Sequence, residues 1–392
     1  MRRLAPAAAA AVLLLAGCVG AHRSAPKPGL TYVGSKPLTL PCRLLGNILI
    51  VETKWDKFGP YHFVIDTGSS VTLVSPELAQ RYGAIGELPP DVPKVRVRSS
   101  QGGSRLLDSA TLTRIQLGKA RFEYVPALVF DCTDLSAFFG VRIDGILGFP
   151  LFRNTVLTLD YPHRQIVLRS GIPDDGLPGE AILFNNPDKT PLISIRLGDR
   201  ELAALIDSGS TAAIDINPAG LSPRFTFGPV DGPIVTTLAG DQASRVGRLA
   251  DVVRMGSFDI PTPVAEVTDE LSSLGGGILS HFTITFDQRD NEVFFQHDPE
   301  DPLATPALRG TGLSFRKTSA YWKVVGVVAA SPAGEIGVGL GDLVSRINGE
   351  PVGSWDIARY GHLVDTADWV DFTFIEGTRE SRMRLRVVSL VP

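Results

Sequence analysis

The sequence predicts a mainly β protein: two similar β lobes followed by a small α/β unit. Three observations predict it. Glycine and proline are frequent, at 40 and 29 of 392 residues, while apolar stripes at helical spacing are hard to find. A run of strands closing in Asp-Thr-Gly-Ser at 66–69 returns as Asp-Ser-Gly-Ser at 207–210, and after residue 309 the pattern changes to short strands around one helix. The length favours two or three domains. An apolar fraction of 44% argues against disorder. The net charge of -4 comes with no block of Lys or Arg, so nothing suggests a nucleic-acid partner.

The opening residues, MRRLAPAAAAAVLLLAGC, carry two arginines and then an apolar run too short to span a membrane stably, the pattern of an export signal over 1–18. Its end, Leu15-Ala16-Gly17-Cys18, resembles the lipobox of bacterial lipoproteins. That resemblance implies lipidation of Cys18 and a periplasm-facing protein anchored to a membrane without spanning it. By the sorting pattern of such lipoproteins, Val19 in place of aspartate points to the outer membrane. An ordinary cleaved signal with an incidental cysteine is the other reading. Residues 19–35 form a linker. An oxidising compartment permits the two remaining thiols, Cys42 and Cys132, to pair; two buried free cysteines are the alternative.

The first lobe, 36–172, and the second, 173–297, repeat each other. LIVETKWDKFGPYHFVIDTGSS (49–70) and LISIRLGDRELAALIDSGST (192–211) both read strand, polar turn, strand, then the Asp-Thr/Ser-Gly triplet. Downstream, DGILGFPLFRNTVLTLDYPHRQIVL (144–168) is echoed by GGILSHFTITFDQRDNEVFF (276–295), with Thr158-Leu159-Asp160 matching Thr285-Phe286-Asp287. Each half also carries a hairpin-like segment, VRVRSSQGGSRL (95–106) and IVTTLAGDQASRV (234–246). Ordinary residue usage yields only about 0.3 such triplets by chance in a chain this long.

Asp66 and Asp207, one from each repeat, can meet between two lobes related by a two-fold arrangement. Two carboxyls in contact hold one proton over a wide pH range, and the titration belongs to the pair. The ionised member can deprotonate a water while the protonated one polarises a peptide carbonyl. Around them, Thr67 and Ser208 offer hydroxyls across the junction. Gly68 and Gly209 allow close backbone approach and N–H donation, and Ser69 and Ser210 are expected to bond the outer carboxylate oxygens.

With these motifs the two halves resemble the lobes of pepsin- and retropepsin-class aspartic proteases, whose Asp-Thr/Ser-Gly loops are followed by a hydrophobic pair and glycine, here Ile146-Leu147-Gly148. The resemblance covers roughly 36–297. It implies two pseudo-symmetric acid-protease β-barrel lobes with a cleft between them, polypeptide substrates, and hairpin flaps above, placed at Ser99, Ser100, Gln101, Gly102 and Gly103. Each half is close in length to one retropepsin subunit, so the chain resembles a fused dimer and is expected to act as a monomer. Three departures stand out: Ser280 follows Ile278-Leu279 where glycine is expected, no tyrosine occupies a hairpin tip, and serine follows Asp207.

After a Pro- and acid-rich linker, 298–309, residues 310–392 resemble a PDZ domain, with its Ser331-Pro332-Ala333 turn and the run Gly341-Asp342-Leu343 to Asn348-Gly349. The resemblance implies capture of peptide C-termini by Gly310, Thr311, Gly312 and Leu313, beside Phe315 on the following strand, with a helix over 354–364 lining the groove. An ordinary glycine turn is the other reading of that loop. The histidines stand singly without metal-ligand spacing, no serine lies in a nucleophile elbow, and the glycines at 275–277 lack a phosphate-loop lysine, so neither metal nor cofactor is expected. The leading expectation is an aspartic endopeptidase; the rival is a peptide-binding scaffold on the same fold.

Overall fold

A computed structural model of the chain describes residues 29–83, 94–98, 103–237 and 240–392. The expected export signal with Cys18, and four of the five flap positions, Ser99, Ser100, Gln101 and Gly102, lie outside the described residues. Within them the protein is mainly β, as expected.

The first lobe begins with a hairpin, Ile48–Trp55 and Phe58–Asp66. Ile48 to Val51 and Phe63 to Ile65 are buried without interruption, which suits β-branched and aromatic residues in a strand covered on both faces. Gly145–Gly148 runs parallel beside the second strand of this hairpin, placing Gly148 opposite Asp66. Next come Thr72–Val74, Ala120–Val129 and Ser109–Leu117. Ser109–Leu117 returns to the first strand through Lys54 and Gln116, which closes a barrel.

The second lobe repeats the central strands. Leu192–Leu197 pairs with Arg200–Ile206, and Ser273–Leu274 runs parallel beside the latter and antiparallel to Ile214–Ile216. Val264–Val267 follows. Its outer strands differ: a long hairpin, Phe225–Thr237 and Gly240–Leu249, lies at one end, and the described strands form an open sheet of nine. Only the first of the two expected barrels therefore closes.

The lobes share one sheet beneath the cleft. Leu38–Leu45, Gln165–Arg169 and Val156–Asp160 from the first half continue into Phe282–Asp287, Glu292–His297 and Glu180–Leu183. Thr158 faces Thr285 at its centre, hydroxyl to hydroxyl at 2.9 Å. Above this sheet one apolar core runs through both lobes, and at their junction Phe149 meets Phe286 edge to face at 5.2 Å between centroids.

The C-terminal unit has its own core, centred on Phe315, Trp322 and Phe372 with Tyr360 against them. Its sheet runs Leu313–Lys317, Trp322–Val327, Leu343–Ile347, Trp369–Glu376, Arg379–Arg386. The helix Ile357–Thr366 is capped by Asp356, whose carboxylate accepts the Arg359 N–H at 2.8 Å. This unit packs on both lobes. Lys317 Nζ donates to the Phe138 carbonyl at 2.7 Å, Arg43 pairs with Asp356, and Arg316 joins Asp134 at 3.1 Å to Asp241 at 2.8 Å. The Ile234 N–H donates to Ser314 Oγ at 2.9 Å.

Cys42 and Cys132 are free, against the permitted disulfide. Cys42 packs on the core shared by the lobes and Cys132 belongs to a separate cluster with Phe130 and Phe139, so different clusters hold the two sulfurs. Burial pushes each thiol up to about 12, which keeps both protonated.

Candidate active site

Asp66 ends the strand Phe58–Asp66, and Asp207 directly follows Arg200–Ile206. Both strands are apolar and buried where they approach the molecular centre, so each carries its carboxyl into the junction. Between them the chain forms a reciprocal lock. The Thr67 N–H donates to Ser208 Oγ at 2.9 Å and the Ser208 N–H to Thr67 Oγ1 at 3.0 Å. Each hydroxyl then donates across the junction, Thr67 Oγ1 to the Ile206 carbonyl at 2.6 Å and Ser208 Oγ to the Ile65 carbonyl at 2.9 Å. Thr67 and Ser208 are 1% and 0% exposed, so these four bonds are shielded from competing water.

The glycines explain how the acids meet. A β-carbon on Gly68 would sit 2.5 Å from Asp207 Oδ1, and one on Gly209 would sit 2.5 Å from Asp66 Cγ. Each loop thus lays bare backbone against the opposite carboxyl, and no side chain larger than hydrogen fits. The Gly209 N–H donates to Asp207 Oδ1 at 2.9 Å. Asp66 Oδ1 is buried without a hydrogen-bond donor, as expected of an oxygen facing a second carboxyl.

Burial dominates the electrostatics. It pushes Asp66 up to about 6, held back by its hydrogen bond with Asp207 and by the N–H groups of Gly68 and Ser69. Burial also raises Asp207 well above the carboxylate range; the Asp66 charge adds to this, the Gly209 N–H opposes it, and Asp215 adds further. The pair therefore keeps a proton through mildly acidic pH.

Two expectations about the surrounding loops are corrected. The hydroxyls of Ser69 and Ser210 serve their own turns: Ser69 Oγ donates to the Val71 carbonyl at 2.8 Å, and Ser210 Oγ accepts the Ala212 N–H at 3.2 Å. The second correction concerns Ser280. Phe149 N–H donates to the Ser69 carbonyl at 3.0 Å, and in the other lobe it is Gly276 N–H that donates to the Ser210 carbonyl at 2.8 Å. The counterpart of Ile146-Leu147-Gly148 is therefore Ser273-Leu274-Gly275, and Ile278-Leu279-Ser280 belongs to the short helix beyond it, Gly276–Leu279. The supporting glycine is present: a β-carbon on Gly275 would lie 2.5 Å from the Ala212 carbonyl oxygen, just as one on Gly148 would strike the Val71 carbonyl.

A cleft opens over the acids. Its first-lobe side includes an apolar group, Phe130, Phe138 and Ile146, with Asp134 beside it, and its second-lobe side includes Thr211, Thr237 and Glu266. The hairpin Val95–Arg98 and Ser104–Leu107 brings Val97 and Arg105 to the cleft, and Gly103 leads into its second strand. The Phe225–Thr237 hairpin approaches from the other lobe, with Val235 lining the same space.

In the C-terminal unit Gly310, Thr311, Gly312 and Leu313 are buried, as is Phe315. The carbonyls of Thr311 and Gly312 accept the N–H groups of Ala333 and Val328. Gly312 has φ +91°, and a side chain there would strike Ser331. The helix Thr133–Phe139 packs against both Leu313–Lys317 and Ile357–Thr366, and its Phe138 carbonyl accepts from Lys317 Nζ.

Residues 51–151 match the family model described as aspartyl protease, a stretch that contains Asp66, its loop and Gly148. The match supports a retropepsin-like aspartic protease and a protease-like function. Compared with curated proteins, the chain gives no match.

Proposed function

We propose that the protein is an aspartic endopeptidase that hydrolyses peptide bonds with a water activated between Asp66 and Asp207. The observation that carries this reading is the pair itself: a half-buried carboxyl, Asp66, and a buried one, Asp207, on symmetry-related loops, in mutual contact and open to a cleft. The ionised carboxylate takes a proton from the water while its oxygen attacks the peptide carbonyl carbon. The protonated carboxyl donates to the carbonyl oxygen, and a tetrahedral diol results with no covalent enzyme intermediate. Transfer of a proton to the amide nitrogen then releases the amine and the new carboxyl end. Burial favours this chemistry, because it keeps one acid protonated where free carboxyls would both be charged.

The C-terminal unit, in this reading, is a PDZ-like module that positions polypeptides. The opening residues export the chain and anchor it through a lipid on Cys18, facing the periplasm. The test of the catalytic reading is digestion of a peptide library by the full chain between pH 4 and 8, beside Asp66→Asn and Asp207→Asn. Each substitution is expected to lower cleavage by a factor of about 1,000 or more, as removal of an essential acid or base does. Equal cleavage by all three proteins would overturn the reading.

A further inference from the structure

Because the lobes repeat strand for strand around the acids, each position in one wall has a counterpart in the other. In the first lobe Ile146 pairs with Leu73, and Leu73 with Leu128. All three lie in an apolar cluster. The same register in the second lobe pairs Ser273 with Asp215, and Asp215 with Glu266. An apolar trio has become a hydroxyl and two acids.

Asp215 and Ser273 are 2% and 3% exposed, and Ser273 Oγ donates to Asp215 Oδ2 at 2.6 Å. Glu266 lines the cleft together with Asp66 and Asp207. Among the described residues its carboxyl has no donor or cation; the group acting on it is Asp215. Arg105, on the same cleft, acts on Asp131. Burial first, then the charge of Asp215, push Glu266 up to about 8. Ionising Glu266 in such a setting is costly unless a cation joins it.

From this placement we infer that Glu266, with Asp215 and Ser273 behind it, forms an acidic subsite that takes a lysine or arginine side chain of the substrate beside the scissile bond. The inference rests on the peptidase reading of the cleft. The incoming cation pairs with Glu266, and Glu266 gives up its proton to solvent. The ion pair so formed is charge-assisted and partly desolvated. The opposite wall, with Ile146, Phe130 and Phe138, takes an apolar side chain, so the two sides of the cut differ in kind.

The test has two arms. In the first, the full chain cleaves paired peptides that differ only by lysine or norleucine at one position flanking an apolar residue. Wild type is expected to favour lysine at least tenfold in kcat/KM, and Glu266→Gln to bring that ratio near one. In the second, the same peptides are titrated onto Asp66→Asn protein by calorimetry, alone and combined with Glu266→Gln. The same tenfold preference is expected in binding, lost in the double variant. A triple variant, Ser273→Ile with Asp215→Leu and Glu266→Leu, copies the first lobe's trio and is expected to favour norleucine. No lysine preference in binding to Asp66→Asn overturns the subsite whatever the catalysis. A binding preference without any cleavage by wild type overturns the peptidase reading and leaves the subsite standing.

Discussion

Asp66 shows how far one residue can be understood from its surroundings. Its folded pKa, about 6 against an ordinary 3.8, is raised, so the folded state binds the proton more tightly than the unfolded chain does. The resulting stabilisation is complete below about pH 4 and is lost as pH rises through 6. At about 1.4 kcal/mol per pH unit this comes to about 3 kcal/mol. Asp207 is raised as well, so urea unfolding at pH 4, 5, 6 and 7 should show wild type losing at least that much more stability than the Asp66→Asn/Asp207→Asn double variant; parallel profiles would contradict it. Glycine supplies a second residue-scale prediction. Gly148→Ala and Gly275→Ala each drive a methyl into a backbone carbonyl and should cost about 1–3 kcal/mol, whereas Ser280→Gly should change stability by much less. A large gain from Ser280→Gly would restore the equivalence that the hydrogen bonds reject.

Those residues also show what is legible in the sequence. Asp66 and Asp207 can be found because the triplet and its preceding strand repeat, and a two-fold arrangement needs the acid from both copies. The strand Ser273–Leu274 cannot, since its apolar signature is gone: Ser273 faces Asp215 where Ile146 faces Leu73. A chance Gly-Ile-Leu a few residues later, in reality a helical turn, supplies a better literal match. Glu266 is hidden for a related reason. A single acid in a short strand ordinarily faces solvent, and only register reveals that this one faces the cleft.

At the scale of elements the reciprocal lock is the feature to probe. Thr67→Ala removes an acceptor for Ser208 N–H and a donor to Ile206, leaving two buried backbone groups unpaired; Ser208→Ala does the same in mirror image. Each should cost about 2 kcal/mol or more. Because both belong to one network, the double substitution should depart from additivity by about 0.5–3 kcal/mol in a thermal or urea-unfolding cycle. Additive losses would mean that the two loops are held independently. The two hydroxyls are enough to anticipate the lock. The separate fates of Cys42 and Cys132 are not so readable, because spacing along the chain says nothing about which cluster receives each sulfur.

Over the whole molecule, the docking of the C-terminal unit reaches both hairpin-bearing sides of the cleft. Arg316 ties Asp134 in the first lobe to Asp241 at the second lobe's hairpin, and Lys317 holds the Phe138 carbonyl. Replacing both, Arg316→Ala with Lys317→Met, should speed hydrogen exchange in 133–139 and 225–249 while leaving the strands that end at the acids protected. Unchanged exchange in those segments would show that the helix and the hairpin are held by the lobes alone. The change of pattern after residue 309 marks a new unit in the sequence but carries no hint that this unit bears on the cleft, since such contacts join surfaces far apart in the chain.

The row of strands through Thr158 and Thr285 fixes which parts of this molecule can yield. Spreading the lobes like a hinge would tear the backbone ladder from Val156 to Asp160 off its partner, Thr283 to Asp287. The floor is a beam, and the freedom to admit a bulky chain falls to the roof, where the hairpin of Phe225–Thr237 and Gly240–Leu249 bears on a third body through Ile234 and Asp241.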